Sequence, residues 1–178
     1  MVWGGNLNHP VLEGFSCQDL LQDNQYLIDN ASITADCTIQ VIAPLLEQPW
    51  ADTTVLILGW GRIAKFLAKL LYDRGCRLFV GARKQSDLEQ IDASGFSPVE
   101  ISALNLTLPT VNLIINTVPS MILPESPSHI IKIDLASQKG IAGDDVIWAR
   151  GLPGIHAPDR SGKLIANTIL RILREETA

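Results

Sequence analysis

This 178-residue chain is built for an α/β fold with a parallel, doubly wound sheet. Three features point there. Val55, Leu56, Ile57 and Leu58 form an unbroken apolar run, suited to a strand buried on both faces. A glycine turn follows and opens a segment in which Ile63, Phe66, Leu67, Leu70 and Leu71 recur at helical spacing. Further apolar runs return through the C-terminal half, each separated by helical or polar stretches, as parallel strands with crossover connections require.

Taken in order, Met1 to Asn30 read as irregular, with one short helix near Cys17 to Asp23. Ala35 to Leu46 reads as a helix, capped by Thr34 or Ser32 with Asp36 in its first turn. The first strand and its helix follow, closed by Gly75, and Cys76 to Val80 is the second strand. Ser86-Asp87-Leu88-Glu89 has the form of a capping box and opens a helix to Ala93, ended near Gly95. Phe96 to Val99 is the expected third strand, and Ile101 to Leu106 one or two helical turns. Val111 to Asn116 is the fourth strand, Ile130 to Leu135 the fifth and Val146 to Ala149 a short sixth. Asp159 to Glu176 is a final amphipathic helix with Leu164, Ile165, Ile169, Ile172 and Leu173 on its apolar side.

The turn itself carries chemistry. Gly59, Gly61 and Ala64 stand as G-x-G-x-x-A between a strand and a helix, with a second strand after it. That context makes the triplet a dinucleotide fingerprint, and the fold Rossmann-like. Gly59 allows the tight turn, Gly61 lets backbone approach a pyrophosphate, and Ala64 lets helix and strand pack closely. The phosphates then face the free N–H groups of the helix start, around Trp60, Arg62 and Ile63.

An NAD-selective site places Asp or Glu about 20 residues past the turn, on the ribose 2′-hydroxyl. No carboxylate stands between Asp73 and Asp87. Ala82 is followed by Arg83 and Lys84, whose cations suit a 2′-phosphate, so NADP is preferred to NAD.

The chain is 47% hydrophobic and carries a net charge of −5. Such a balance supports a packed core and offers no basic patch for nucleic acid or an anionic membrane. No apolar run reaches the roughly 18 residues of a membrane span, and MVWGGNLNHP is not a signal peptide, so the cytoplasm is the expected location. Cys17, Cys37 and Cys76 are scattered and read as reduced and structural. No spacing suggests a metal site.

Three polar loops lie at expected strand ends. Asn116, Thr117, Val118 and Pro119 follow the fourth strand, where the nicotinamide ribose passes in such folds. Asp134, Leu135 and Ala136 follow the fifth; Asp134 either accepts backbone N–H bonds of the next loop or faces substrate. Arg150 to Pro158 is a restricted glycine–proline loop, with Gly154 in it and Ser161 just after, able to hold the nicotinamide end or an anion. His156 lies in that loop and is the candidate acid–base group, with Asp134; His9 and His129 read as solvated and edge residues.

These loops give the chain a family likeness. GWGRIAKFLAKLL, GARKQSDL, INTVPSMIL, IDLAS and ARGLPGIHAPDRSGKLIANTI resemble, in the same order, segments of the dipicolinate synthase A family, and ITADCTIQ resembles its linker helix. The resemblance implies an NADP(H)-linked oxidoreductase that makes pyridine-2,6-dicarboxylate together with a second, flavoprotein-like polypeptide. Gly59, Gly61 and Arg62 match the family's turn, Arg83 its phosphate arginine, and Asn116, Thr117 and Pro119 its nicotinamide-side loop. Asp134, Ala136 and Ser137 match D-L-A-S; Gly151, Pro153, Gly154, Ala157, Pro158, Gly162 and Asn167 match the loop and last helix. Ala64 stands in place of a glycine, and Gln138-Lys139-Gly140 in place of P-G-G. Family members carry an N-terminal domain that closes over the cofactor. Only about 50 residues precede the fingerprint here. Residues 1–50 are therefore expected to be a short extension with a linker helix, the remnant of that lid, and 51–178 the NAD(P)-binding domain.

The expected function is hydride transfer to or from a small carboxylated, cyclic substrate. A non-catalytic NAD(P)-sensing module and a 2-hydroxyacid-dehydrogenase-like protein are the alternatives. A homodimer or a partner subunit is expected, because Trp3, Trp50 and the helix Ala35 to Leu46 have no large domain to cover them.

Overall fold

The computed structural model describes residues 1–104 and 110–176. Six strands form one sheet: β3 (Thr54–Leu58), β4 (Arg77–Ala82), β5 (Ser97–Glu100), β6 (Leu113–Asn116), β7 (Ile131–Asp134) and β8 (Val146–Trp148). Their order is β5-β4-β3-β6-β7-β8 and every neighbouring pair is parallel. The chain winds outward from β3 through β4 to β5, then returns to β6 on the other side of β3. The crevice between the C-terminal ends of β3 and β6 is thus the topological switch point, where open α/β sheets bind ligands.

Strand alternation divides the core in two. Val55 and Ile57 point to one face with Leu78, Val80, Leu113, Ile115 and Ile133; Leu56 and Leu58 point to the other with Ile114, Val111 and Val146. The first face is covered by α1 (Asn24–Ile42), α2 (Arg62–Tyr72) and α3 (Gln85–Ala93), through Ala35, Ile39, Ile42, Ala64, Leu67, Leu71 and Ile91. The second is covered, among the described residues, by Leu104, Leu123, Ile130 and Ile141 from the connections between strands. Pro98 lies on the edge strand β5, where a missing N–H is tolerated. The helical reading of residues 101–106 holds for the described ones, a 3-10 turn at Ile101–Ala103 followed by helical Leu104; Asn105 and Leu106 lie outside the described residues.

The N-terminal third differs most from expectation. Val2–Gly4 (β1) pairs in parallel with Cys17–Asp19 (β2), and Leu20–Gln22 forms a 3-10 turn, where sequence suggested one short helix. α1 starts eleven residues earlier than the periodicity indicates, at Asn24 rather than Ala35. Its cap is Asp23, whose carboxylate accepts from Tyr26 N at 2.7 Å. Asn, Asp, Ser and β-branched residues of weak helix propensity fill its first half, and packing against α2 overrides them. Thr34 and Thr38 are inside the helix, their hydroxyls donating to the carbonyls four residues back at 2.7 and 2.8 Å. α1 ends at Ile42 and Pro44 confines the continuation to a 3-10 turn. Its apolar side packs into the chain's own core through Ala35, Ile39 and Ile42, with Val41, Leu45, Leu46 and Trp50 partly buried against it. Cys37 and Cys76 are buried, and burial raises their thiols; Cys17 is exposed on β2 and is no core residue.

Two further corrections concern caps. α3 begins at Gln85 with Lys84 as its cap residue and no side-chain cap bond, so Ser86 sits inside the first turn and closes no capping box. The glycine–proline loop contains a short helix, α4 (Leu152–His156), and the last helix α5 starts at Pro158, a favoured first position. α5 lies on α1, held by Arg160–Asp36 at 2.9 Å and Arg171–Asp23 at 2.6 Å. Among the described residues no helix is long and apolar enough to cross a membrane.

Candidate functional site

β3 ends at Leu58 and the chain turns at Gly59, with φ of +101°. A Cβ there would lie 2.5 Å from Thr117 Oγ1 and 2.8 Å from Val118 Cγ2. Backbone conformation and close approach both demand glycine. Thr117 is brought there by the Leu58 carbonyl, which accepts from its hydroxyl at 2.8 Å and its N–H at 2.9 Å. Gly61 differs: a Cβ there would meet nothing within 4 Å. Its space opens in front of α2, whose start has no side-chain cap. The first N–H groups of α2 are left for an outside acceptor, beside the helix's partial positive end. This cradle, which a side chain would fill, fits a diphosphate.

A cleft of about 230 Å³ lies over this turn, lined by Gly61, Arg62, Ile63 and Thr117 and, across it, by Leu27, Asn30 and Ala31 of α1. Arg62 is exposed and its Nη2 donates to Asn24 Oδ1 at 2.8 Å, tying the turn to the start of α1. Leu27, Asn30 and Ala31 are residues the sequence reading did not include. With Thr34 they stand at i, i+3, i+4 and i+7, one helical face. Starting the helix at the Asp23 cap would have revealed it.

Ala82 is buried at the end of β4, and Arg83 and Lys84 are exposed beyond it. Arg83 Nη2 donates to Ser120 Oγ at 2.8 Å. Since β4 and β6 flank β3, that bond spans the switch point.

Asn116 and Asp134 end neighbouring strands and face each other in register. Both are fully buried. Asn116 Nδ2 donates to Asp134 Oδ1 and to the Val118 carbonyl, each at 3.0 Å, and Asn116 Oδ1 accepts from Val118 N at 3.0 Å. Asp134 also accepts from Ala136 N at 3.0 Å, Gly140 N at 2.7 Å and Ile141 N at 3.1 Å. A Cβ at Gly140 would collide with the Asn116 amide and with the Ser120 and Val118 carbonyls. Of its two alternatives, Asp134 fills the scaffold one: its oxygens are occupied, and it has no exposed surface for a substrate. Asn116 is likewise committed to the loop it shapes rather than open to a ribose. Leu135 packs into the core, and Ala136 is buried with its carbonyl accepting from Trp148 Nε1 at 2.9 Å.

The remaining expected residues disperse. His156 is exposed at the end of α4 and is not among the cleft-lining residues; the same holds for exposed Gly154 and for Ser161, whose N–H is spent on the Ala157 carbonyl at 2.9 Å. Pro119 is exposed on the β6 loop. The Trp60 ring turns to the α2–α3 side, edge-on to Phe96 at 6.0 Å with Lys65 Nζ 5.4 Å from its centroid, leaving only its backbone for the turn.

Comparisons with known proteins come to the same region of protein space. No family model matches the chain. Dipicolinate synthase A of Bacillus subtilis (strain 168) is 30% identical over 189 aligned positions, covering 95% of this chain and 63% of that protein. The crystal structure of dipicolinate synthase A from Bacillus subtilis superposes with a TM-score of 0.87 at 26% identity, over 97% of this chain and 64% of that one. Shikimate dehydrogenase (NADP(+)) of Thermosynechococcus vestitus is 30% identical over 92 residues, 48% of this chain and 32% of that protein. The chain thus spans less than two thirds of the relatives it matches most fully.

Proposed function

The chain is a homologue of dipicolinate synthase A along 95% of its length, and from that premise we propose that it binds NADP(H) at the β3–β6 switch point and serves hydride transfer with a small carboxylated, cyclic substrate. The observation that carries the reading is the open space before Gly61, at the uncapped start of α2 and under Thr117. The α2 N–H groups and Arg62 would hold the diphosphate, and Arg83 with Lys84 the 2′-phosphate. When bound, the cofactor would supply a hydride donor or acceptor. The protein's part is to orient the two partners and to exclude water along the wall made by α1. A relative named for NADP(+) supports the phosphate preference. Titration calorimetry with NAD and NADP on the wild-type chain tests it: NADP is expected to bind at least tenfold more tightly, and equal affinities would overturn the assignment.

One observation favours a second reading, a nucleotide-binding module without turnover. Among the described residues, Arg62 is the only titratable one lining the cleft. Asp134 and His156, the two acid–base candidates, are respectively sealed in the scaffold and outside it. An acid–base group would then come from the substrate, from a second copy or from a different partner chain. Exposed Ile165, Leu170 and Leu173 on α5 support such an assembly. Light scattering reports the assembly, and NADPH oxidation with cyclic imines separates the two readings.

A further inference from the structure

Asn30 is a polar side chain on the α1 wall of the cleft. It lies in the middle of α1, half-buried, on the face that looks across the cleft at Gly61, Arg62 and Thr117. Its backbone carbonyl accepts from Thr34 Oγ1 at 2.7 Å. Its side-chain amide makes no hydrogen bond among the described residues. Asparagine is a poor helix former, and this one leaves its amide donors and acceptor open at the cleft surface. Neither local structure nor packing explains it. Local rules broken in this way concentrate at ligand sites.

We propose that Asn30 is a dinucleotide-binding residue, its amide contacting the oxygen-rich segment on the nicotinamide side of the diphosphate. The inference rests on the dinucleotide reading above and extends it by a third wall. Sheet and turn supply two sides of the site, at Thr117 and at the α2 start. Asn30 supplies the opposite one, with two N–H donors for phosphate or ribose oxygens and one carbonyl acceptor for a ribose hydroxyl. Its share in the cleft lined by Gly61 and Thr117 puts it at the diphosphate, while Arg83 lies past the end of β4 on the proposed adenosine side.

The placement gives a test with internal controls. NADPH and adenosine 2′,5′-bisphosphate, which has no nicotinamide half, are titrated into wild type, Asn30→Ala and Asn30→Asp. Asn30→Ala is expected to bind NADPH about tenfold more weakly and the bisphosphate within about twofold of wild type. Asn30→Asp, which sets a carboxylate before phosphates, is expected to lose more NADPH affinity than Asn30→Ala and to regain part of it in high salt. The melting temperature of Asn30→Ala without ligand should equal or exceed that of wild type, because alanine suits a helix better and no bond is lost. Unchanged NADPH binding in Asn30→Ala, or equal losses for both ligands, overturns the role of Asn30 while leaving the dinucleotide reading intact. Failure of wild type to bind either ligand overturns both.

Discussion

Asn116 Nδ2 lies 3.0 Å from Asp134 Oδ1, joining the C-terminal ends of β6 and β7 in a fully buried pair. Around that pair five backbone groups of two loops find their partners: the Val118 carbonyl and N–H and the N–H groups of Ala136, Gly140 and Ile141. The loop that positions Thr117 over the glycine turn is therefore set from beneath by a carboxylate that never reaches the cleft.

Asp134→Ala strands three buried N–H donors and the Asn116 amide. Each bond to a charged group is worth roughly 1.5–3 kcal/mol, so the loss should be at least about 3 kcal/mol. For a chain of this size that lowers Tm by about 6–12 °C. Urea denaturation reads it directly. A variant that kept its stability and lost only activity would reassign Asp134 to chemistry.

The two glycines of the turn should separate folding from binding. Gly59→Ala meets Thr117 and Val118 in a backbone conformation alanine resists, and is expected to destabilise by about 1–3 kcal/mol. Gly61→Ala has open space and an extended φ of −78°. It should leave Tm within about 2 °C of wild type and weaken NADP(H) binding about tenfold or more, by occupying the phosphate cradle. Thermal melts and calorimetry on both variants check the contrast.

Arg83→Ala should raise the NADP Kd by about tenfold to a hundredfold and change the NAD Kd by less than about threefold, since only the former has a 2′-phosphate to lose. Ser120→Ala removes the residue that holds Arg83 and should shift both constants by less than about threefold. Calorimetric titrations of both cofactors into the two variants check the pattern.

Asp23 ties α1 to α5 and its charge has a pH signature. The Arg171 guanidinium, then the Tyr26 N–H, hold its carboxyl below the ordinary 3.8. A depressed folded value stabilises above the unfolded one and is lost as pH falls through the folded one. Asp23→Asn keeps a capping oxygen and removes the charge. At neutral pH it should destabilise by about 0.5–1 kcal/mol, a modest figure because Arg171 is partly exposed. That gap should hold down to about pH 5, narrow from about pH 4 and close in stronger acid. Denaturation midpoints across that range check it.

Much of this was legible in the residues. Val55 to Leu58 is apolar at every position because both faces of β3 are covered, and nothing else in the chain offered that pattern beside a glycine turn. β6 and most of β7 were found for the same reason, whereas the edge strands β5 and β8 are largely exposed. The first half of α1 was not found, since Asn24, Asn30, Ser32 and Thr34 belong to a cleft wall and a packed interface rather than to an autonomous helix. That Asp134 accepts N–H groups of the next loop was one of its two readings; which ones, those of Ala136, Gly140 and Ile141, leaves no mark in side-chain type. Asn30 was missed with α1, although its polarity inside that run was the signal.

Arg83 is tethered to a hydroxyl and, among the described residues, to no carboxylate. A tether of that kind fixes direction without neutralising charge. On a molecule of net charge −5, a local positive potential then persists beside Arg83. Polyanions would be drawn to it from beyond contact range, and encounter should slow as ionic strength shortens the reach of the field, before any equilibrium constant is considered.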